Sequence, residues 1–123
     1  MIKLVFCLRR LPHLSRAEFQ RYWLHQHGPL VRAHATALRV RRYVQLHTAD
    51  TPLNAAIAAS RGAPAEYDGV AELWWESADD LAAALASPEG RAGSLALLED
   101  ERRFIDLARS PLWLAEEHAV VPS

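Results

Sequence analysis

The sequence predicts an α+β domain with the strand and helix order β-α-β-β-α-β, the ferredoxin-like split βαβ arrangement, in which a four-stranded antiparallel sheet carries its helices on one face. Three observations lead there. Four short runs rich in strand formers are spread along the chain. Helix-start signals fall between the first and second runs and again between the third and fourth. The 123 residues are 50% hydrophobic and 24% charged, an ordinary globular balance that suits one domain, residues 1–123.

The first strand is read at Ile2–Arg9, bounded by Leu11-Pro12-His13. Ile2, Leu4, Phe6 and Leu8 form one face, and Val5 and Cys7 form an apolar second face. A strand apolar on both sides needs two covers, and a domain this small supplies one from its own helices. The other falls to a second subunit. Ser15-Arg16-Ala17-Glu18 is a capping box, in which Ser15 and Glu18 satisfy each other's backbone amides. It opens a helix with Phe19, Tyr22 and Trp23 on one face. His25-Gln26-His27-Gly28-Pro29 is expected to break that helix, and a second piece runs from Leu30 to Leu38.

The second strand is read at Val40–His47, with Val40, Val44 and Leu46 alternating against Arg41, Tyr43, Gln45 and His47. Arg42 falls on the apolar side of that alternation. A connection follows, with a short helix at Leu53–Ser60 and a loop at Arg61-Gly62-Ala63-Pro64. The third strand, Val70–Glu76, puts Ala71, Leu73 and Trp75 on one face and Val70, Glu72, Trp74 and Glu76 on the other. Ser77 starts a helix through Leu81–Leu85, and Ser87-Pro88 starts another that runs to the charge cluster Glu99–Arg103. A turn or short helix at Phe104–Ser110 leads into the fourth strand, Leu112–Val120.

Composition excludes several function classes. The formal net charge is −1, which gives no electrostatic footprint for nucleic acid or an anionic membrane. The apolar opening is too short to span a bilayer and lacks a small-residue cleavage site, so a cytoplasmic location is expected. With one cysteine, Cys7, no intramolecular disulfide can form. There is no glycine-rich phosphate loop, nucleophile elbow or redox cysteine pair.

Met1-Ile2-Lys3-Leu4, Glu18-Phe19 with Tyr22-Trp23, and His27-Gly28-Pro29-Leu30-Val31 resemble the opening of the EthD family. Arg42-Tyr43-Val44-Gln45 and Tyr67-Asp68-Gly69-Val70-Ala71-Glu72-Leu73-Trp74 resemble its second and third strands. Ser87-Pro88-Glu89-Gly90-Arg91 and Asp100-Glu101 with Arg103-Phe104-Ile105-Asp106 complete the likeness. The resemblance implies a dimeric α/β barrel, in which two sheets pack face to face across a two-fold axis with the helices outside. It also implies a fold shared by polyketide cyclases, lactone isomerases, quinone-forming monooxygenases and haem-degrading enzymes, with some relatives similar to cofactor-free decarboxylases of aromatic polyketides. Fold alone does not choose among these.

Among single residues, His27 is the candidate catalytic group. An imidazole at a helix break can be aimed into a cleft and exchange protons near neutral pH, and the resemblance also places a histidine there. The bland alternative is a histidine that bonds a loop carbonyl and pins the kink. His34, Arg42, Tyr43, Glu72 and Trp74 are the candidate substrate-binding residues, with Arg42 or Tyr43 orienting the substrate. Arg42 and Glu72 also read as an ion pair across strands or at a subunit interface. Asp68 reads as a turn residue or as a carboxylate partner for a histidine. His25, His27 and His34 do not make a standard metal set, so no metal and no cofactor are expected. The functional expectation is a homodimeric, cofactor-independent enzyme that decarboxylates, cyclises or isomerises a small aromatic or polyketide-like molecule by proton transfer. The alternatives are an accessory protein that binds a small hydrophobic metabolite for a partner oxygenase, and a haem protein using His27 or His34 as axial ligand.

Overall fold

The computed structural model describes residues 1–123. The elements are β1 (Ile2–Leu8), α1 (Arg16–Tyr22), a π turn (Trp23–His27), α2 (Gly28–His34), β2 (Arg42–His47), α3 (Leu53–Ala59), β3 (Gly69–Trp75), α4 (Ala78–Ala86), α5 (Pro88–Glu101), a 3₁₀ turn (Leu107–Arg109) and β4 (Leu112–Glu116). The sheet order is β2-β3-β1-β4 and every pairing is antiparallel. The predicted α+β, ferredoxin-like class is the one observed.

Register settles which side chains share a face. Leu4 pairs with Leu73 and Leu114, and Tyr43 pairs with Leu73. The inner face therefore carries Leu4, Phe6, Leu8, Ala71, Leu73, Trp75 and Tyr43, because side chains alternate along each strand. Phe6, Leu8, Ala71, Leu73 and Trp75 join Phe19, Trp23, Val31, Phe104 and Ile105 in the buried core. The outer face carries Lys3, Val5, Cys7, Arg42, Val44, Leu46, Val70, Glu72 and Trp74. Lys3 bonds Glu72 there at 2.7 Å, and the cations of Lys3 and Arg42 both lie 4.8 Å from the Trp74 ring. The expected Arg42–Glu72 pair across the strands of one chain does not form. Glu72 takes Lys3 instead, since Arg42 registers against Trp74 and not against Glu72.

The helical layer begins as read. Ser15 accepts from the Glu18 amide and Glu18 accepts from the Ser15 amide, both at 3.0 Å. The expected break at His25–Pro29 does not occur. Trp23 and Gly28 keep right-handed helical angles, and the Gly28 amide bonds the Trp23 carbonyl five residues back. One wide turn joins α1 to α2 without interruption. Its extra width also accommodates Pro29, whose ring would otherwise press on the carbonyl four residues before it. Gly69 has a specific reason. A methyl group there would lie 2.5 Å from the Trp23 ring, so β3 must present bare backbone to the π turn.

Asp68 is neither a loose turn residue nor a histidine partner. It is 2% exposed and accepts from the Arg10 amide at 2.8 Å, the Arg10 guanidinium at 2.6 Å and the Arg16 Nε at 3.0 Å. These bonds tie the entrance of β3 to the end of β1 and the start of α1. The fourth strand ends at Glu116, short of the expected Val120. Glu117 leaves the ladder to accept a bond from the Trp74 indole. No helix is long and apolar enough to cross a membrane.

Candidate active-site cavity

Between the inner sheet face and the helices lies a cavity of about 450 Å³. Of its 22 lining residues 19 are hydrophobic, which leaves His27, Ser94 and Glu101 as the polar ones, with the Tyr43 hydroxyl as a polar tip on an apolar body. A predominantly apolar lining with so few polar groups leaves those groups to orient a bound molecule.

His27 enters from the π turn and is 5% exposed. Its Nδ1 lies 2.8 Å from Oδ2 of Asp100 on α5. The other Asp100 oxygen accepts from the Tyr22 hydroxyl at 2.5 Å, and Nη1 of Arg103 stands 3.5 Å from it. Burial and the neighbouring carboxylate push the Tyr22 phenol up, so it stays a donor. Asp100 is then the acceptor for both neighbours, which places the His27 proton on Nδ1 and leaves Nε2 with a free lone pair. Nε2 has no protein partner, yet no fully buried side-chain nitrogen or oxygen lacks one, so Nε2 is reached from the open side of the ring. Burial pulls the imidazole pKa below its ordinary value, with Asp100 opposing. At neutral pH the ring is therefore uncharged and basic at Nε2. Phe104 holds its flank, with ring centres 5.1 Å apart.

Tyr43 stands on β2 with its hydroxyl accepting from Gln45 Nε2 at 2.8 Å. The same Gln45 nitrogen donates to the Trp23 carbonyl at 2.9 Å, the carbonyl that closes the π turn. Burial pushes the Tyr43 phenol up to about 12, so it remains protonated, with its own O–H available to a ligand. Glu101 occupies the last turn of α5 on the stripe Ser94, Leu97, Leu98, Glu101, the helical spacing of one face. Burial first, and the Asp100 charge second, push its carboxyl up to about 7.

The structure brings His27 and Tyr43 to one cavity. His34 does not line it: the ring wedges against α5, where a methyl group at Gly93 would lie 3.2 Å from Nδ1. Arg42, Glu72 and Trp74 stand on the opposite face of the sheet and do not converge with His27. Sequence reasoning missed Tyr22, Asp100 and Glu101 as site residues. The signal for Glu101 was present, since it extends the apolar stripe of α5 by one more step. Asp100 lies one position off that stripe, 73 residues from His27, and no local pattern pairs the two. No group of three or more His, Cys, Asp or Glu side chains is placed to hold a metal ion.

Comparison with known proteins adds a family. The EthD domain family model matches residues 11–108. Among solved structures, an EthD family protein from Bacillus halodurans superposes with a TM-score of 0.61 at 18% identity, covering 96% of this chain and 100% of that one. SnoaB from Streptomyces nogalater, described as a cofactor-independent oxygenase, gives 0.57 at 18% identity, covering 99% and 97%. A dimeric protein of ferredoxin-like fold from Bacteroides fragilis gives 0.59 at 8% identity, covering 94% and 95%. These similarities show a shared fold. No curated protein matches the sequence.

Proposed function

The chain belongs to the EthD family, and on that premise we propose that it is a cofactor-independent enzyme that moves protons on a small, flat aromatic or polyketide-like molecule bound in the cavity. The observation that carries the proposal is His27, an uncharged imidazole on an apolar wall, oriented through Nδ1 by Asp100 and unengaged at Nε2. This is the arrangement of a general base backed by an orienting carboxylate. Nε2 takes a proton from an acidic C–H or O–H of the ligand. Asp100 steadies the imidazolium that results, and the proton returns to a different atom. Decarboxylation, cyclisation and isomerisation all use such a transfer. The SnoaB description supports chemistry on this fold without a bound cofactor.

The working unit in this reading is a homodimer joined through the outer sheet face. Support comes from the half-buried Val5, Cys7, Val44 and Val70 on that face, from Leu46 beside them at 46% exposed, and from the dimeric description of the Bacteroides protein. A second reading, an accessory protein that holds a hydrophobic metabolite for a partner oxygenase, is favoured by the preponderance of apolar lining. One experiment separates the two. Trp23 and Trp75 line the cavity, so titration with 2-naphthol should quench tryptophan fluorescence in wild type. An aromatic ketone whose α-carbon exchanges protons is then tested for turnover. The enzyme reading expects turnover that is lost in His27→Ala with binding retained. Binding with no turnover of any such ketone favours the accessory reading, and no binding contradicts both.

A further inference from the structure

We propose that Glu101 is a second proton-transfer group of the same cavity, donating to an oxygen of the ligand while His27 takes a proton from its carbon. The inference rests on the proposed ligand cavity and names the class of molecule it takes, a flat ketone with an acidic α-hydrogen or the corresponding enol.

Glu101 is the only carboxyl in the cavity lining. The stripe Ser94, Leu97, Leu98, Glu101 turns it toward the cavity, away from the exposed Glu99 of the same turn. No cation and no hydrogen-bond donor compensates it; the influences on it are burial and the like charge of Asp100. It also sits in the final turn of α5, where the helix dipole disfavours a negative charge. An acid kept there without a partner is a cost to the fold unless its neutral form has work to do. Its pKa of about 7 leaves it a neutral O–H donor below neutrality. The titratable groups facing it are His27 from the π turn, Tyr43 from β2 and Asp100 from its own helix, while β1, β3, β4 and α4 present only apolar side chains.

The step balances without an oxidant. His27 Nε2 takes the α-hydrogen, so a C–H bond breaks and an N–H bond forms. The released pair becomes the enol C=C bond, the carbonyl π pair moves to oxygen, and that oxygen takes the Glu101 proton. Tyr43 donates to the same oxygen. The imidazolium and carboxylate left behind are reset by solvent, and the net change is ketone to enol.

The test uses 2-naphthol, a stable aromatic enol, with wild type, Glu101→Gln and Glu101→Leu. Wild-type affinity should weaken about tenfold between pH 6 and pH 8.5 as the carboxyl ionises. Glu101→Gln keeps a donor and should bind with little pH dependence. Glu101→Leu should bind about tenfold more weakly than wild type at pH 6. Independently of ligand, carboxyl-carbon NMR should show one glutamate titrating near pH 7 in wild type that is missing in Glu101→Gln. Equal affinity of wild type and Glu101→Leu at pH 6, or no such titration, would overturn the inference alone. Wild type that binds no 2-naphthol at any pH would overturn the cavity reading as well.

Discussion

His27 and Asp100 set the chemistry at the scale of single residues. Asp100 holds two donors, the Tyr22 hydroxyl and the His27 Nδ1. Replacing it with Asn would turn an acceptor-only group into one with a competing N–H and release the imidazole to the wrong tautomer. Asp100→Asn should therefore lose one to two orders of magnitude of activity and about 1–3 kcal/mol of stability from the disturbed buried bonds. Nitrogen NMR of His27 should show the proton leaving Nδ1; a variant with unchanged tautomer and activity contradicts the assignment. Glu101 makes a separate prediction in pH. Its folded pKa is raised to about 7, so its contribution to stability is present below its ordinary carboxyl value and is lost as pH rises through 7. Relative to Glu101→Gln, wild type should lose up to about 3 kcal/mol between pH 4.5 and pH 8. His27 has the opposite sign: its pKa is lowered, so its contribution is present above its ordinary value and is lost as pH falls. Urea midpoints of wild type and Glu101→Gln across that range check the first of these. The residue types of this site were visible in the sequence, but their meeting was not. His27 stood out as a histidine beside Gly28 and Pro29, whereas Asp100 looked like one member of a terminal charge cluster until the tertiary fold set it against the π turn.

The elements explain which local signals survive folding. The capping box at Ser15 was legible because both of its bonds close within four residues. Ser15→Ala should lower stability by about 1 kcal/mol, and an unchanged urea midpoint would contradict that. The helix stop at Gly28 was misread for an equally physical reason. Glycine and proline together signal a break in an isolated helix, but here Gln45 from β2 supports the Trp23 carbonyl while the Gly28 amide also bonds it. That shared acceptor stabilises a wide turn from outside the helix, and the wide turn is what delivers the His27 ring to the cavity. On the sheet, strict alternation was enough to separate Leu73 and Trp75 from Glu72 and Trp74. It could not say which of the two faces the helices would cover, and so Arg42, Glu72 and Trp74 were grouped with His27 when they lie behind it.

For the whole molecule, the order of strands and helices followed from runs and caps that are local, and the sheet order β2-β3-β1-β4 is the one a split βαβ chain adopts. The outer face carries the prediction at this scale. If it joins two copies, the interface should bury on the order of 1,600 Å² in total, and sedimentation should give a dimer at micromolar concentration; a monomer there contradicts the homodimer proposal. Proton transfer through His27 in the apolar cavity can be read by deuterium exchange. 2-Tetralone, a flat ketone with acidic hydrogens beside its ring, is incubated in D₂O with wild type and with His27→Ala, and loss of the α-hydrogen signal is followed by proton NMR. Wild type should exchange well above the buffer rate, with a fall of roughly two to four orders of magnitude in a folded His27→Ala, whereas equal exchange by the two proteins, or none above buffer with wild type, would rule out His27 as the proton-transfer group of the cavity.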